Sequence, residues 1–152
     1  MRLGQVLLAD GAISGDQLQE ALDAQLIYGG HLGTCLMELG HVGEERLGQA
    51  LALAADVPCA PAAAFLAIPR FVLDALPQSM VQKHAAVPIG LEDNILDVAM
   101  IDPKSRQALE ELRGVSGCAI RSWIAPEMRI FEAMERYYDL PRRIRYVTLT
   151  RA

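Results

Sequence analysis

Residues 1–25 read MRLGQVLLADGAISGDQLQEALDAQ, and residues 31–54 read HLGTCLMELGHVGEERLGQALALA. Shifted by 29 positions, the two stretches match at Leu3/Leu32, Gly4/Gly33, Leu7/Leu36, Leu8/Met37, Gly11/Gly40, Ile13/Val42, Leu18/Leu47, Ala21/Ala50 and Leu22/Leu51. Nine matches in one register mark an internal repeat, with residues 26–30 as its spacer. Each unit reads as a helical hairpin. A first helix runs from about Leu3 to Asp10, and Gly11 supplies the left-handed residue that ends it. Ser14 with Gln17 forms a capping box for a second helix, on which Leu18, Ala21, Leu22 and Gln25 share one face. The second unit repeats this with Gly40 as the stop, Gly43 as the N-cap, and Leu47, Ala50, Leu51 and Ala54 on the face. If the helices of a unit run antiparallel, Arg2, Leu3 and Gly4 lie near Leu22 and Gln25. By the same rule His31, Leu32 and Gly33 lie near Leu51 and Ala54.

Outside the repeat the period changes. A Pro/Ala stretch covers 57–64, and Pro69 and Pro77 each open a short helix. Residues 85–91 and 95–100 alternate as a β-hairpin around Glu92-Asp93-Asn94. Asp102-Pro103 is expected to open a helix to about Val115. A third strand covers 118–125, and a last helix runs from Pro126 to Tyr138. The expected fold class is α+β, with N-terminal tandem helical hairpins followed by a small three-stranded sheet with two helices. The expected divisions are 1–56 for the repeat, 57–84 for the linker and short helices, 85–140 for the small α/β unit and 141–152 for an Arg-rich tail.

The chain has 152 residues, 52% of them hydrophobic but only 5% aromatic, so aliphatic side chains must build the core. No apolar run reaches the roughly 18 residues of a membrane span. Asp10, Asp16 and Glu20 interrupt any signal-peptide core, and the reading is a cytoplasmic chain. Arg142, Arg143, Arg145 and Arg151 leave 10 basic against 19 acidic residues, a net charge of −9, in residues 1–140. Such a body repels DNA and RNA. Cys35, Cys59 and Cys118 are isolated and read as small buried thiols, and His31, His41 and His84 lack metal-ligand spacing. No Gly-x-x-x-x-Gly-Lys-Ser/Thr loop, nucleophile elbow or metalloprotease motif occurs in the chain, and Glu44-Glu45 and Glu110-Glu111 read as solvated helix surface. No enzyme is read here.

Gly4 and Gly33 stand out, because glycine in a first helical turn costs stability unless something must approach the backbone closely. A helix start bearing Gly and Arg suits an anion or a purine edge. Two such starts, one per repeat, suit a ligand with two equivalent halves.

The pattern R-L-G-x-x-Φ-Φ-x-x-G-Φ-Φ-x-x-x-x-L-x-x-x-L-x-x-Q, given twice with a five-residue spacer, resembles the MshEN domain, the GspE-type N-terminal domain of type II secretion and type IV pilus assembly ATPases. Leu96 to Pro103, ending Ala-Met-Ile-Asp-Pro, and Leu112 to Gly117 are also similar to that family, so the resemblance covers about residues 2–139. It implies a non-enzymatic regulatory or docking domain that requires no cofactor and has cyclic di-GMP as its candidate ligand. It places Arg2, Leu3, Gly4, Leu18, Leu22 and Gln25 around one guanine half. His31, Leu32, Gly33, Leu47 and Leu51 fall around the other. The implied partners are a membrane-anchored platform component or an ATPase motor domain. That puts the chain at the inner-membrane face through its partner. The second unit departs from the pattern, with His31 in place of Arg and Ala54 in place of Gln. Its half of the site thereby loses a guanidinium fork and an amide. The alternative reading is a protein–protein docking module for a membrane-anchored assembly component, without nucleotide binding.

Overall fold

The computed structural model describes residues 2–141, so the Arg-rich stretch from 142 onward lies outside the described residues. The repeat forms α1 (Leu3–Ala9), α2 (Gly15–Tyr28), α3 (Leu32–Glu38) and α4 (Glu44–Ala55). Its punctuation follows from the residues named above. Ser14 Oγ accepts from the Gln17 amide at 3.1 Å, and Gln17 Oε1 accepts from the Ser14 amide at 2.9 Å. After α1, Gly11 at φ +72° lets the Ala12 amide reach the Leu7 carbonyl and its own amide reach the Leu8 carbonyl. After α3, Gly40 at φ +78° repeats the arrangement with His41 to Leu36 and Gly40 to Met37. Both are Schellman closures, which only a residue tolerant of positive φ makes without strain. The repeat in sequence is therefore a repeat in hydrogen bonding.

The units interlock. The main partner of α1 is α4, and that of α2 is α3. One core takes Val6, Leu7, Ile13 and Ala21 from the first unit and Cys35, Leu36, Val42, Leu47 and Ala50 from the second. This corrects the antiparallel expectation within a unit. The side chain resting over Gly4 is Leu18, on the second turn of α2, rather than Leu22 or Gln25 near its end. A seven-residue helix has too little apolar surface to bury itself on one neighbour, and exchange between units covers both faces.

After α4 the chain turns at Asp56 in the left-handed region. It then runs beside Ile124 through Ile124 N–H to the Pro58 carbonyl at 2.9 Å and Ala60 N–H to the Ile124 carbonyl at 2.8 Å. A 3-10 turn (Ala62–Phe65), α5 (Arg70–Leu73) and α6 (Gln78–His84) follow, with Pro69 and Pro77 as N-caps one residue ahead of α5 and α6. Strands β1 (Ala86–Glu92) and β2 (Ile95–Met100) pair antiparallel around Asp93 and Asn94, both at positive φ as a primed hairpin turn needs. Helix α7 (Arg106–Ser116) crosses over to β3 (Ala119–Ile124), parallel to β2, and α8 (Glu127–Tyr138) closes the fold. Helix α7 begins later than Pro103 because Ser105 Oγ, not the proline, takes the cap and accepts from Ala108 N–H. The sheet order is β1-β2-β3, and a second core forms where Val81, Leu96, Leu112 and Ile130 are all fully buried. No helix among the described residues is long and apolar enough to cross a membrane.

The sheet carries one polar cluster that predicts the acid response. Asp97 on β2 sits opposite Arg121 on β3 and accepts from its Nε at 2.5 Å and Nη2 at 3.0 Å, and from Trp123 Nε1 at 2.9 Å. The Arg121 hydrogen bonds hold the Asp97 carboxyl below its usual range. A depressed carboxyl contributes stability above its unfolded pKa of about 3.9 and loses it as pH falls through the lower folded value. Asp97→Asn should therefore flatten the stability–pH curve below about pH 4. Glu111, held down chiefly by Lys83, supplies part of the remaining slope. Urea melts across this range test the point, and an acid limb identical to the parent's refutes it.

Candidate functional site

The starts of α1 and α3 lie side by side and exchange leucines. A Cβ added at Gly4 would lie 3.2 Å from Leu18 Cδ1 and 3.6 Å from Leu32 Cδ2. One added at Gly33 would lie 2.9 Å from Leu47 Cδ1 and 3.3 Å from Leu3 Cδ2. Each glycine is thus crossed by a leucine of its own unit's second helix and by the leucine that precedes the other glycine. The close approach that the glycines signal in sequence is made first of all by the protein's own side chains.

Around this centre the two halves differ. In the first, Arg2 precedes α1 in extended conformation with its side chain exposed, and its amide donates to Gln5 Oε1 at 3.4 Å. Leu22 is partly exposed, and Gln25 Nε2 donates to the Gly30 carbonyl at 3.0 Å, tying the end of α2 to the spacer. In the second, Leu3, Leu32, Leu47 and Leu51 form the floor of a cavity of about 270 Å³. Ile101, Ile124 and Pro126 from the sheet half form its opposite wall, and His31, Thr34 and Glu127 are its charged and hydroxyl side chains. Arg2, Gly4, Leu18, Leu22 and Gln25 do not line it.

Glu127 is the residue that sequence reading missed. It opens α8, where a carboxylate is favoured by the exposed amides of a helix N-terminus. It is buried at 6% exposure. Its Oε1 accepts from Thr34 Oγ1 at 2.5 Å, and its Oε2 lies 2.6 Å from His31 Nδ1. Two residues further on, the Arg129 guanidinium grips the Glu44 carboxylate with Nε and Nη2, at 2.8–3.2 Å. Glu44, read from sequence as solvated, is thus half-buried in an ion pair that joins α4 to α8. The only sequence signal for Glu127 is an acid directly after a helix-opening proline; Thr34 gives none beyond a hydroxyl on an otherwise apolar face.

A second cavity, about 340 Å³, lies on the far side of Pro126, between Glu44, Gly48, Cys59 and Arg129. There Cys59 Sγ comes within 2.7 Å of where a Gly48 Cβ would be. Burial, with Glu44 adding, pushes the Cys59 thiol up. None of the expected site residues lines this cavity.

The tandem Leu-Gly helix starts, joined to a small mixed sheet through α8, define a known class of module. The family model of the MshEN domain matches residues 55–144, and the chain belongs to this family. The match covers the sheet half and the last residue of α4, whereas similarity to individual relatives extends through the repeat. The type IV pilus assembly ATPase PilB of Myxococcus xanthus (strain DK1622) is 34% identical over 137 residues, 90% of this chain and 24% of that protein. Bacteriophage adsorption protein B of Escherichia coli (strain K12) is 32% identical over 156 aligned positions, 90% of this chain and 21% of that protein. The chain thus spans about a quarter or less of these curated relatives. A solved structure of MshE with cdg superposes with a TM-score of 0.67 at 31% identity, covering 91% of this chain and 99% of that one.

Proposed function

We propose that the chain is a non-enzymatic regulatory domain of the secretion and pilus ATPase type, which binds cyclic di-GMP across its two Leu-Gly helix starts. The observation that carries this reading is the reciprocal packing of those starts. In this reading Arg2 and His31, exposed and extended at the N-caps ahead of the two Leu-Gly pairs, present one surface. A ligand with two equivalent halves matches such a surface. The MshE structure with cdg adds support, since its whole length aligns with this chain. In this reading Arg2, Gly4 and Gln25 hold one guanine against Leu18 and Leu22. The second guanine enters the apolar cavity beside His31 and Gly33, over Leu32, Leu47 and Leu51. The domain acts in the cytoplasm, and its partners are assembly components at the inner membrane or an ATPase motor domain.

Calorimetric titration with cyclic di-GMP, with GMP as control, tests this. Saturable binding is expected, weakened at least about tenfold in Arg2→Ala, because one charge-assisted pair is lost. The melting temperature of Arg2→Ala should stay unchanged, since the side chain is exposed. Absence of heat at high ligand concentration would overturn the nucleotide reading. It would favour the second one, a docking module without nucleotide, whose supporting observation is that His31 is engaged by Glu127.

A further inference from the structure

The polar side chains around the second half-site are engaged with one another. His31, Thr34 and Glu127 are the charged and hydroxyl groups of the cavity. Thr34 Oγ1 donates to one Glu127 oxygen, and the other oxygen lies 2.6 Å from His31 Nδ1. This cluster ties the start of α3 to the start of α8, so it belongs to the packing between the two halves of the fold. Taking it apart to serve a ligand would strip partners from a carboxylate that is only 6% exposed, which is costly. Among the described residues, the other side chains that line the cavity are aliphatic. Ala54, at the repeat position of Gln25, brings no amide. The first half-site keeps both groups, the exposed Arg2 guanidinium and the Gln25 amide.

Resting on the nucleotide reading above, we propose that the second half-site does not select guanine, so that the chain takes a cyclic dinucleotide of mixed purines, one guanine and one adenine, as readily as cyclic di-GMP. The first half-site still selects. A guanidinium fork matches the O6 and N7 acceptors of guanine, whereas adenine sets an amino donor where O6 would stand. In the second half-site desolvation sets the balance. A guanine edge carries N1–H, the 2-amino group and O6. Adenine carries one amino group and the N1 acceptor. Each polar group buried against aliphatic walls without a partner is unfavourable, so adenine loses less on entry than guanine. Both bases offer the same flat purine face to Leu32, Leu47 and Leu51, and apolar contact does not tell them apart. On this account the departures at His31 and Ala54 broaden the ligand rather than abolish its binding.

Calorimetry on the whole chain with cyclic di-GMP, cyclic di-AMP and cyclic GMP-AMP of the same phosphodiester linkage tests the proposal, for the parent and Arg2→Ala. In the parent the mixed nucleotide should bind no more than about twofold weaker than cyclic di-GMP, the statistical advantage of a symmetric ligand. Cyclic di-AMP should bind at least about tenfold more weakly than either. In Arg2→Ala that discrimination against cyclic di-AMP should shrink by at least about threefold, because only the first half-site reads the base. A parent that favours cyclic di-GMP over the mixed nucleotide by about tenfold would show that the second half-site reads guanine, and would overturn the proposal while leaving the nucleotide reading intact. Discrimination unchanged in Arg2→Ala would overturn it too, since base reading would then lie outside the first half-site. A parent that binds none of the three overturns both.

Discussion

Leu36→Ala should unfold on the order of 10 °C below the parent chain, a loss of about 3 kcal/mol. Leu36 is fully buried at the centre of the repeat core, between helices of both units. Its carbonyl also closes the Schellman turn at Gly40 and His41, which stops α3 from relaxing into the void. Truncation there leaves a cavity that the short helix cannot collapse, the situation in which Leu→Ala costs lie within about 2–5 kcal/mol. The repeat supplies an internal control: Leu7 is its equivalent, equally buried with an equivalent turn, so Leu7→Ala should fall by a similar amount. Leu8, 39% exposed one position later, should cost less than about 1 kcal/mol. Thermal melts of the three variants decide. A Leu36→Ala loss no larger than that of Leu8→Ala would mean that the units do not share a core.

The repeat was legible because its punctuation is local. Gly11 and Gly40 end their helices by the same two hydrogen bonds, and Ser14 with Gln17 caps the next helix within four residues. The β1–β2 hairpin was legible for the same reason, since the Asp93-Asn94 turn is a short-range signal. Pairing across units was not. A 29-residue offset says that two segments are alike, and likeness does not say which helix packs on which. The site divides along the same line. Its leucines and glycines stand at repeat positions and could be read off. Glu127 reaches His31 and Thr34 across more than 90 residues, and no local pattern encodes a contact made only after both halves have folded. The late start of α7 is a smaller case, in which the Ser105 hydroxyl outcompeted a proline that looked like a first-turn residue.

Gly33→Ala should destabilise the chain by about 1–2 kcal/mol, against the usual rule that alanine beats glycine inside a helix by up to about 1 kcal/mol. The new methyl would lie 2.9 Å from Leu47 Cδ1 and 3.3 Å from Leu3 Cδ2. Leu47 is 1% exposed and packed in the repeat core, so making room means moving it against its core neighbours or into the adjoining cavity. At Gly4 the nearest atom is 3.2 Å away on Leu18, which is only half-buried and can shift, so Gly4→Ala should cost less. At Gly15 an added Cβ meets nothing within 4 Å, and there alanine should be neutral or stabilising. Pairing Gly33→Ala with Leu47→Ala removes the clash. The double variant should therefore be less unstable than the sum of its parts by about 1–2 kcal/mol, as residues in contact show. Denaturant melts of the four single variants and the double measure this coupling. It bears on function as well as packing, since a glycine beside a binding surface can be required by the ligand, by the fold or by both. Strict additivity, with Gly33→Ala as benign as Gly15→Ala, would mean that Leu47 does not hold Gly33 as glycine. The Leu-Gly pairs would then be explained by what binds over them alone. Strong coupling means instead that the two starts are locked together before any ligand arrives. A preorganised surface of that kind spares a two-headed ligand the cost of ordering it.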